Sequence, residues 1–366
     1  MPGSAETKKN IINHIITAFQ NFEDFLWKNI LKPLFFSLDP EKVHHLVVGI
    51  LKHSNRFLKI RSYFYSFDSS EKKKLETNVF GITFPNPVGL AAGFDKNAEV
   101  FKQMTSLGFG FVEIGTVTPV SQNGNPKKRL FRLVEDSAII NRLGFNNLGV
   151  ESVVNRLKRN KKIIIGGNIG KNKITPNDNA KKDYYDCFIK LYPHVHYFAV
   201  NVSSPNTPKL RDLQDTDELK KILIPIINEN IQRESKPILL KISPDLTNES
   251  IEQIVEMCQE IKIDGIITSN TTISRNNLAS NEILKKEVGG LSGSPLNKRS
   301  NEIIRLINKK SSGKLPIIGV GGIMKPEDAI EKLNAGAVLV QIYTGFIYNG
   351  PSFVYKINRE ILKASD

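Results

Sequence analysis

The sequence predicts an α/β protein, a (β/α)8 TIM barrel with an N-terminal amphipathic helical extension, and three observations lead there. Beyond residue 78, eight short apolar runs alternate with helix-like segments. Such runs suit a parallel sheet, which is covered by helices on both faces and so is apolar on both. The residues just past the runs are polar or glycine, as the C-terminal mouth of a barrel requires. Ahead of them, apolar residues recur every three or four positions, the spacing of one-sided helices. A doubly wound sheet is the other arrangement that the alternation allows.

The first helix carries Ile11, Ile12, Ile15, Ile16, Phe19, Phe22, Leu26, Trp27, Ile30 and Leu31 on its apolar face. The second starts where Asp39 caps and Pro40 takes the first position, and it carries Val43, Leu46, Val47, Ile50 and Leu51. Residues 1–74 hold twelve Lys and Arg against seven Asp and Glu. Aromatic, basic, amphipathic helices suit a membrane surface, and they equally suit a hairpin that caps the main domain. The polar stretch 66–74 reads as a linker. The expected division is therefore 1–65 as a helical domain, 66–77 as linker and 78–366 as barrel.

The eight runs are 87–92, 111–116, 163–169, 197–203, 237–242, 265–269, 315–320 and 337–343. Helices are expected at 98–107, 150–158, 181–191, 217–231, 249–261, 298–307, 326–334 and 352–362. Between the second and third runs, 129–134 alternates like an extra surface strand.

Composition narrows the function. Hydrophobic residues make up 40% and charged residues 24%, so neither disorder nor a membrane-embedded bundle is expected. A net charge of +14 suits anionic ligands, acidic lipid or nucleic acid and decides nothing about fold. Two cysteines, Cys187 and Cys258, cannot build a disulfide framework or a metal cluster, which points to a reducing compartment and no metal. No run is long enough to span a bilayer, and no signal peptide is visible.

The strand ends carry the chemistry. The first run ends in Ala91-Ala92-Gly93-Phe94-Asp95-Lys96 and the second in Gly115-Thr116, followed by the loop Asn141-Arg142-Leu143-Gly144-Phe145-Asn146-Asn147. The next four end at Asn168, at Asn201-Val202-Ser203-Ser204-Pro205-Asn206-Thr207, at Lys241 and at Ser269-Asn270-Thr271. A carboxamide offers two donors and an acceptor, which as a set suits the amide edges of a neutral planar heterocycle. Glycines gather late, in 289–293, 319–322 and after Tyr343-Thr344, where barrels commonly hold phosphate on backbone amides. Gly319-Val320-Gly321-Gly322 does not fit the dinucleotide pattern. None of the six histidines follows a strand end, so Ser204 is the candidate base and Lys96 and Lys241 the candidate cations. A serine hydroxyl needs a proton path, and Thr207 with a water is the nearest one. Phe145 is placed to help exclude solvent.

These residues resemble a known family. LAAGFDKN (90–97), EIGTVTP (113–119), INRLGFNNLGV (140–150), NIGKNK (168–173), NVSSPNTP (201–208), LKISPDL (240–246), SNTT (269–272), GGLSG (289–293), LPIIGVGGI (315–323) and QIYTGF (341–346) are similar, in unbroken order, to class 2 dihydroorotate dehydrogenase, the membrane-associated, quinone-using form. The resemblance implies one FMN per chain, contacted by Ala92, Gly93, Thr116, Asn168, Asn201, Lys241, Ser269, Gly293, Gly322, Tyr343 and Thr344. It implies dihydroorotate and orotate held by Lys96, Asn141, Arg142, Leu143, Gly144, Phe145, Asn201, Asn206, Asn270 and Thr271. Ser204 becomes the base that removes the C5 proton as the C6 hydride leaves, and Lys241 stabilises charge on the reduced flavin.

The family's soluble class 1 has Cys as base and lacks the N-terminal helices, whereas this chain has Ser204 and residues 11–53. In the quinone class those helices form an apolar tunnel, which makes 1–65 a membrane and quinone-access domain and 78–366 the FMN-binding catalytic domain, and places His44, Arg132 and Tyr343 at a ubiquinone or menaquinone site. The resemblance also implies an anionic membrane surface as partner, no nucleic acid, and a monomer or weak homo-oligomer. The expected location is the cytoplasmic face of a bacterial inner membrane, or the mitochondrial inner membrane in a eukaryote. One departure is Lys209, where the family commonly has Gly, on the loop that bears Ser204. Two further hypotheses are a flavin barrel that reduces uridine in transfer RNA, which would use a Cys base, and a non-catalytic lipid-binding scaffold.

Overall fold

A computed structural model describes the backbone of residues 3–160 and 162–365, with side chains from His14 onward. The Ile11 and Ile12 side chains of the expected first face lie outside the described residues. Helix α1 (Gly3–Leu26) runs through a π-helical turn, Trp27–Leu31, into α2 (Lys32–Ser37). Asp39 caps α3 (Pro40–His53) by accepting from the Glu41 and Lys42 amides at 3.1 and 3.0 Å. A further helix, α4 (Asn55–Phe64), lies outside the expected pair because Arg56, Lys59 and Arg61 interrupt its apolar stripe. The expected linker contains α5 (Ser69–Leu75), started by a capping box in which Asp68 and Glu71 bond each other's backbone amides at 2.9 and 3.0 Å. Leu75 at its end is buried and Glu71 pairs with Arg359 at 2.5 Å, so the segment is packed structure rather than plain tether.

A hairpin of β1 (Thr77–Val79) and β2 (Ile82–Phe84) follows, also unforeseen because each strand has only three residues. It closes the N-terminal end of the barrel, with Phe80 against Gly265 and Phe84 edge-on to Phe111 at 5.0 Å. The remaining strands are β3 (Val88–Leu90), β4 (Phe111–Val117), β5 (Leu130–Leu133), β6 (Ala138–Asn141), β7 (Ile165–Ile169), β8 (Tyr197–Asn201), β9 (Ile238–Ile242), β10 (Gly265–Thr268), β11 (Gly290–Gly293), β12 (Ile317–Val320) and β13 (Leu339–Ile342). The helices are α6 (Phe101–Ser106), α7 (Val150–Leu157), α8 (Ala180–Leu191), α9 (Thr216–Ile231), α10 (Asn248–Glu260), α11 (Glu282–Lys285), α12 (Asn297–Lys310), α13 (Pro326–Asn334), α14 (Thr344–Asn349) and α15 (Phe353–Ser365).

Eight parallel strands close a barrel in the order β3-β4-β7-β8-β9-β10-β12-β13, and β13 returns to β3 with Val340 opposite Val88. That closure excludes the doubly wound sheet; seven of the eight expected runs contain one barrel strand each, and the other, 111–116, falls one residue short of the end of β4. The barrel interior is filled by Phe111, Tyr197, Leu239, Ile267, Ile318 and Leu339. Gly166 leaves room for this layer, since a Cβ there would stand 2.1 Å from the Tyr197 ring. The larger apolar layer lies between strands and helices. The extra strand expected at 129–134 is β5, which joins β6 and β11 in a three-stranded antiparallel sheet beside the barrel mouth.

The N-terminal helices dock by specific contacts. Trp27 lies on Gly350 and donates to the Tyr348 carbonyl at 3.3 Å, and Asp24 pairs with Lys356 at 2.5 Å. Buried Glu41 on α3 pairs with buried Arg129 at 2.7 Å. Their other face stays open: Ile15, Phe22, Phe25, Ile30, Leu34, Leu46, Ile50, Phe57, Ile60 and Tyr63 are all exposed. Among the described residues no helix is long and apolar enough to cross a membrane.

Candidate active site

One cavity occupies the C-terminal mouth of the barrel under the β5-β6-β11 sheet. Ala92, Gly93 and Lys96 from the β3 end, Thr116 from β4, Asn201, Ser204 and Asn206 from β8, Lys241 from β9, and Ser269, Asn270 and Thr271 after β10 line it. Gly293, Gly322, Tyr343 and Thr344 line one side, and Asn141, Leu143, Gly144 and Phe145 another. Three expected residues stand off the cavity wall. Arg142 pairs with Glu287 and lies over the Phe131 ring at 4.5 Å. Asn168 is fully buried behind the wall, and the Thr207 hydroxyl is buried with no partner.

The asparagines form a connected relay rather than independent caps. Asn201 donates to Thr116 Oγ1 at 2.9 Å and to Asn168 Oδ1 at 3.2 Å, while Asn270 donates to Asn201 Oδ1 and Ser203 Oγ at 3.2 and 3.0 Å. Across the cavity, Asn206 donates to Asn141 Oδ1 at 2.9 Å and keeps its own Oδ1 unpaired. Ser204 Oγ accepts from the Asn206 amide at 3.2 Å, which fixes the hydroxyl in a short turn. Asn172 serves structure instead, bonding Thr118, Val120 and Gln122 between 2.9 and 3.1 Å.

Inside the barrel lies a group that the sequence reading passes over. The fully buried Glu113 accepts from Lys241 Nζ at 3.0 Å, Asn168 Nδ2 at 2.8 Å, Gln341 Nε2 at 2.7 Å and Tyr197 OH at 3.3 Å. Each contact comes from a different strand, so the carboxylate ties β9, β7, β13 and β8 to β4. A Glu within the apolar run FVEIGTV was the available signal, since an unpaired buried charge is too costly to keep.

Lys96 Nζ donates to the Gly93 carbonyl at 2.5 Å, and burial, then the Arg129 charge, lowers its pKa to about 8. A second cavity adjoins the first through Lys96, Leu130, Leu143 and Tyr343; Val48 and Phe94 line it together with the polar Glu41, His44, His45, Asp95, Asn97, Glu99 and Asn146. His44 packs edge-on to Phe94 at 5.1 Å, and Phe94 to Tyr343 at 6.0 Å. Burial first, with Lys96 and His45 adding to it, holds the His44 imidazole down at about 3. Arg132 stands apart from this cavity; it lies over Phe36 at 4.7 Å and donates to the Leu38 carbonyl at 2.8 Å.

The sequence model of the family described as Dihydroorotate dehydrogenase matches residues 74–364. The chain belongs to that family. It is 56% identical to a dihydroorotate dehydrogenase (quinone) of Christiangramia forsetii, covering 92% of this chain and 99% of that protein. It is 46% identical to one of Thermosynechococcus vestitus, over 93% and 97% of the two chains. A crystal structure of the Eimeria tenella enzyme in complex with ferulenol superimposes with a TM-score of 0.81 at 37% identity, covering 90% of this chain and 94% of that one.

Dihydroorotate dehydrogenases of the quinone type are FMN-dependent, and the residues present fit that cofactor. Ser269 Oγ and Gln341 Oε1 are buried polar atoms with no protein partner, both on cavity-lining residues. Gly322, at φ +78°, lines the cavity and packs directly on the start of α12, where a Cβ would stand 2.3 Å from Asn297 Cα. Beside it, Ser292 and Thr344 share a hydroxyl hydrogen bond of 2.8 Å. Among the described residues no group of His, Cys, Asp and Glu could hold a metal ion. Burial pushes both cysteine thiols up, so neither Cys187 nor Cys258 offers a thiolate.

Proposed function

We propose that this chain oxidises (S)-dihydroorotate to orotate in pyrimidine biosynthesis and delivers the electrons to a quinone. The observation that carries this reading is that the cavity holding Ser204 and a smaller cavity holding His44, walled by the N-terminal helix α3, share the wall residues Lys96, Leu130, Leu143 and Tyr343. FMN, when bound, supplies the acceptor for the C6 hydride and passes two electrons onward. Ser204 Oγ takes the C5 proton, and the buried Thr207 hydroxyl three residues away gives that proton its way out through a water. Asn141, Asn206 and Asn270 bond the amide edges of the substrate, Lys96 pairs with its carboxylate, and Phe145 screens the site from water. Ala92, Gly93, Thr116, Asn201, Lys241, Ser269, Gly293, Gly322, Tyr343 and Thr344 hold the cofactor, with Asn168 acting on it through Thr116 and Asn201.

Catalysis is assigned to 78–366, with 66–77 as the joining segment and 1–65 as the quinone and membrane part. His44 and Tyr343 lie on the quinone route, with Arg132 at its outer edge. The exposed apolar residues of α1, α2, α3 and α4 support docking on an anionic lipid surface, as a monomer or weak homo-oligomer. The quinone-type relatives support a membrane-associated location, and the proposed site is the cytoplasmic face of a bacterial inner membrane, or the mitochondrial inner membrane in a eukaryote.

The test is anaerobic. The purified yellow protein bleaches on addition of (S)-dihydroorotate, and its colour returns with a lipophilic quinone. A flavin that stays oxidised with dihydroorotate overturns the reading.

A further inference from the structure

We infer that Arg211 is a positioning residue for the reaction, a single guanidinium that sets the Ser204 loop against the loop bearing Asn270 and Thr271. This rests on the reading of Ser204 as the base. Arg211 sits on the short 3-10 turn Leu210–Gln214, outside the cavity wall. Its Nε donates to the Ser203 carbonyl at 3.0 Å, its Nη2 to the Thr271 carbonyl at 2.8 Å, and its Nη1 to Asp245 Oδ2 at 2.7 Å. Three loops, those after β8, β9 and β10, thus meet on one rigid fork. Asp245 extends the tie, because it also accepts from the Ile273 amide at 2.9 Å and from the Thr272 hydroxyl.

The position of these bonds gives Arg211 a selective effect. Ser203 immediately precedes Ser204, and Thr271 follows Asn270, whose Nδ2 itself reaches Ser203 Oγ at 3.0 Å. The far side of the same loop has separate anchors: Asn125 Nδ2 bonds the Asn206 carbonyl at 3.0 Å, and Asn206 bonds Asn141. The loop returns through Lys209, which holds φ +55° and whose carbonyl accepts from Asn177 at 2.9 Å. Losing Arg211 therefore loosens the Ser204 end of the loop, which keeps the Ser203 bonds to Asn201 and Asn270, and leaves the Asn206 end tied. Lysine cannot replace it, since an ammonium lacks the planar fork that serves two carbonyls and a carboxylate together.

The experiment compares Arg211→Lys, Arg211→Met and Ser204→Ala in the full-length holoenzyme, with rates normalised to bound flavin. In anaerobic stopped flow, both Arg211 variants reduce flavin at a limiting rate lowered by about 10- to 100-fold, the cost of a misplaced base. The half-saturating dihydroorotate concentration and the orotate affinity, read from the flavin absorbance change, stay within about 3-fold because the Asn141 and Asn206 contacts remain. Reoxidation by quinone is unchanged. Wild-type limiting rates in both Arg211 variants, with Ser204→Ala slowed, overturn the inference while the Ser204 reading stands. Reduced FMN content with an unchanged rate per flavin also overturns it, leaving Arg211 a purely structural role. A Ser204→Ala protein that reduces flavin normally removes the Ser204 reading, and this inference with it.

Discussion

Glu113 Oε1 and Lys241 Nζ pair at 3.0 Å in the barrel interior, where the glutamate is fully buried and the lysine nearly so. The positive charge next to the cofactor site is therefore one half of a bonded pair, and removing either half strands the other. Glu113→Gln and Lys241→Met should each destabilise the fold by about 3 to 5 kcal/mol, the cost of an uncompensated buried charge. The double variant should lose less than the sum of the two. Denaturation midpoints followed by circular dichroism measure this, and strictly additive losses would show that the two residues are not coupled. Lys241→Met should also lower FMN retention and the rate of flavin reduction.

Ser204→Ala should keep its FMN, since the hydroxyl bonds the Asn206 amide and no cofactor-side residue. Reduction by dihydroorotate should slow by about 100-fold or more, the scale of a lost general base. Stopped-flow absorbance reads the rate, and a near wild-type value would take Ser204 out of the mechanism.

Lys96 gives the site a pH limit. Burial, aided by the Arg129 charge, lowers its pKa to about 8, and the ammonium form is the one that pairs with a carboxylate. Raising the pH above about 8 deprotonates it, so orotate affinity of the free enzyme should fall by about tenfold per pH unit there and stay level below. Lys96→Met should bind weakly throughout with no break. Titrating the flavin spectrum with orotate at a series of pH values decides it; a wild-type affinity flat to pH 10 would exclude this role.

The barrel was readable because its strands are buried on both faces and so form continuous apolar runs, and the strand-end Asn, Lys and Ser side chains stood out against them. Features made by pairing between distant residues were not. Glu113 looks like a lone charge in FVEIGTV until Lys241, 128 positions away, comes beside it. The helix Ser69–Leu75 hides in a polar stretch because its start is set by a capping box and its docking by Glu71 with Arg359. Arg142 sits among cavity-lining neighbours in sequence, yet it pairs with Glu287 off the cavity wall, which no local pattern reports.

His44 supplies a test of the second cavity. Burial, with Lys96 and His45 adding to it, depresses its pKa from 6.5 to about 3, so the unfolded chain binds a proton that the folded chain refuses between those values. Stability from this ring is present above pH 6.5 and is lost as the pH falls toward 3. His44→Phe should therefore flatten the acid side of the stability profile, measured as denaturation midpoint against pH. An equally steep acid limb in that variant would assign the loss to other groups.

The N-terminal helices raise the last question, whether they are a quinone route on a membrane foot or only a cap. Both readings explain their docking, through Trp27 on Gly350 and Glu41 on Arg129. Only the first explains why Phe22, Phe25, Phe57 and Ile60 face outward. Full-length protein should bind phosphatidylglycerol vesicles and bind them less as salt rises, since screening to about 8 Å at physiological ionic strength limits the basic surplus. Replacing Phe22, Phe25 and Phe57 together by Ser should weaken that binding while leaving flavin reduction by dihydroorotate intact. A chain starting at Glu71 keeps the Arg359 pair and the cavity that holds Ser204, so it should still bleach with dihydroorotate and pass electrons to a small soluble dye. Its reoxidation by a lipophilic quinone should collapse, because His44 and Val48 leave with the helices. That deletion also strands Arg129, which bonds the Asn123 and Asn125 carbonyls at 2.6 and 2.8 Å, so flavin content and light scattering must first show a folded protein. A folded, truncated enzyme that still turned over lipophilic quinone at the full-length rate would make the helices a structural cap and nothing more.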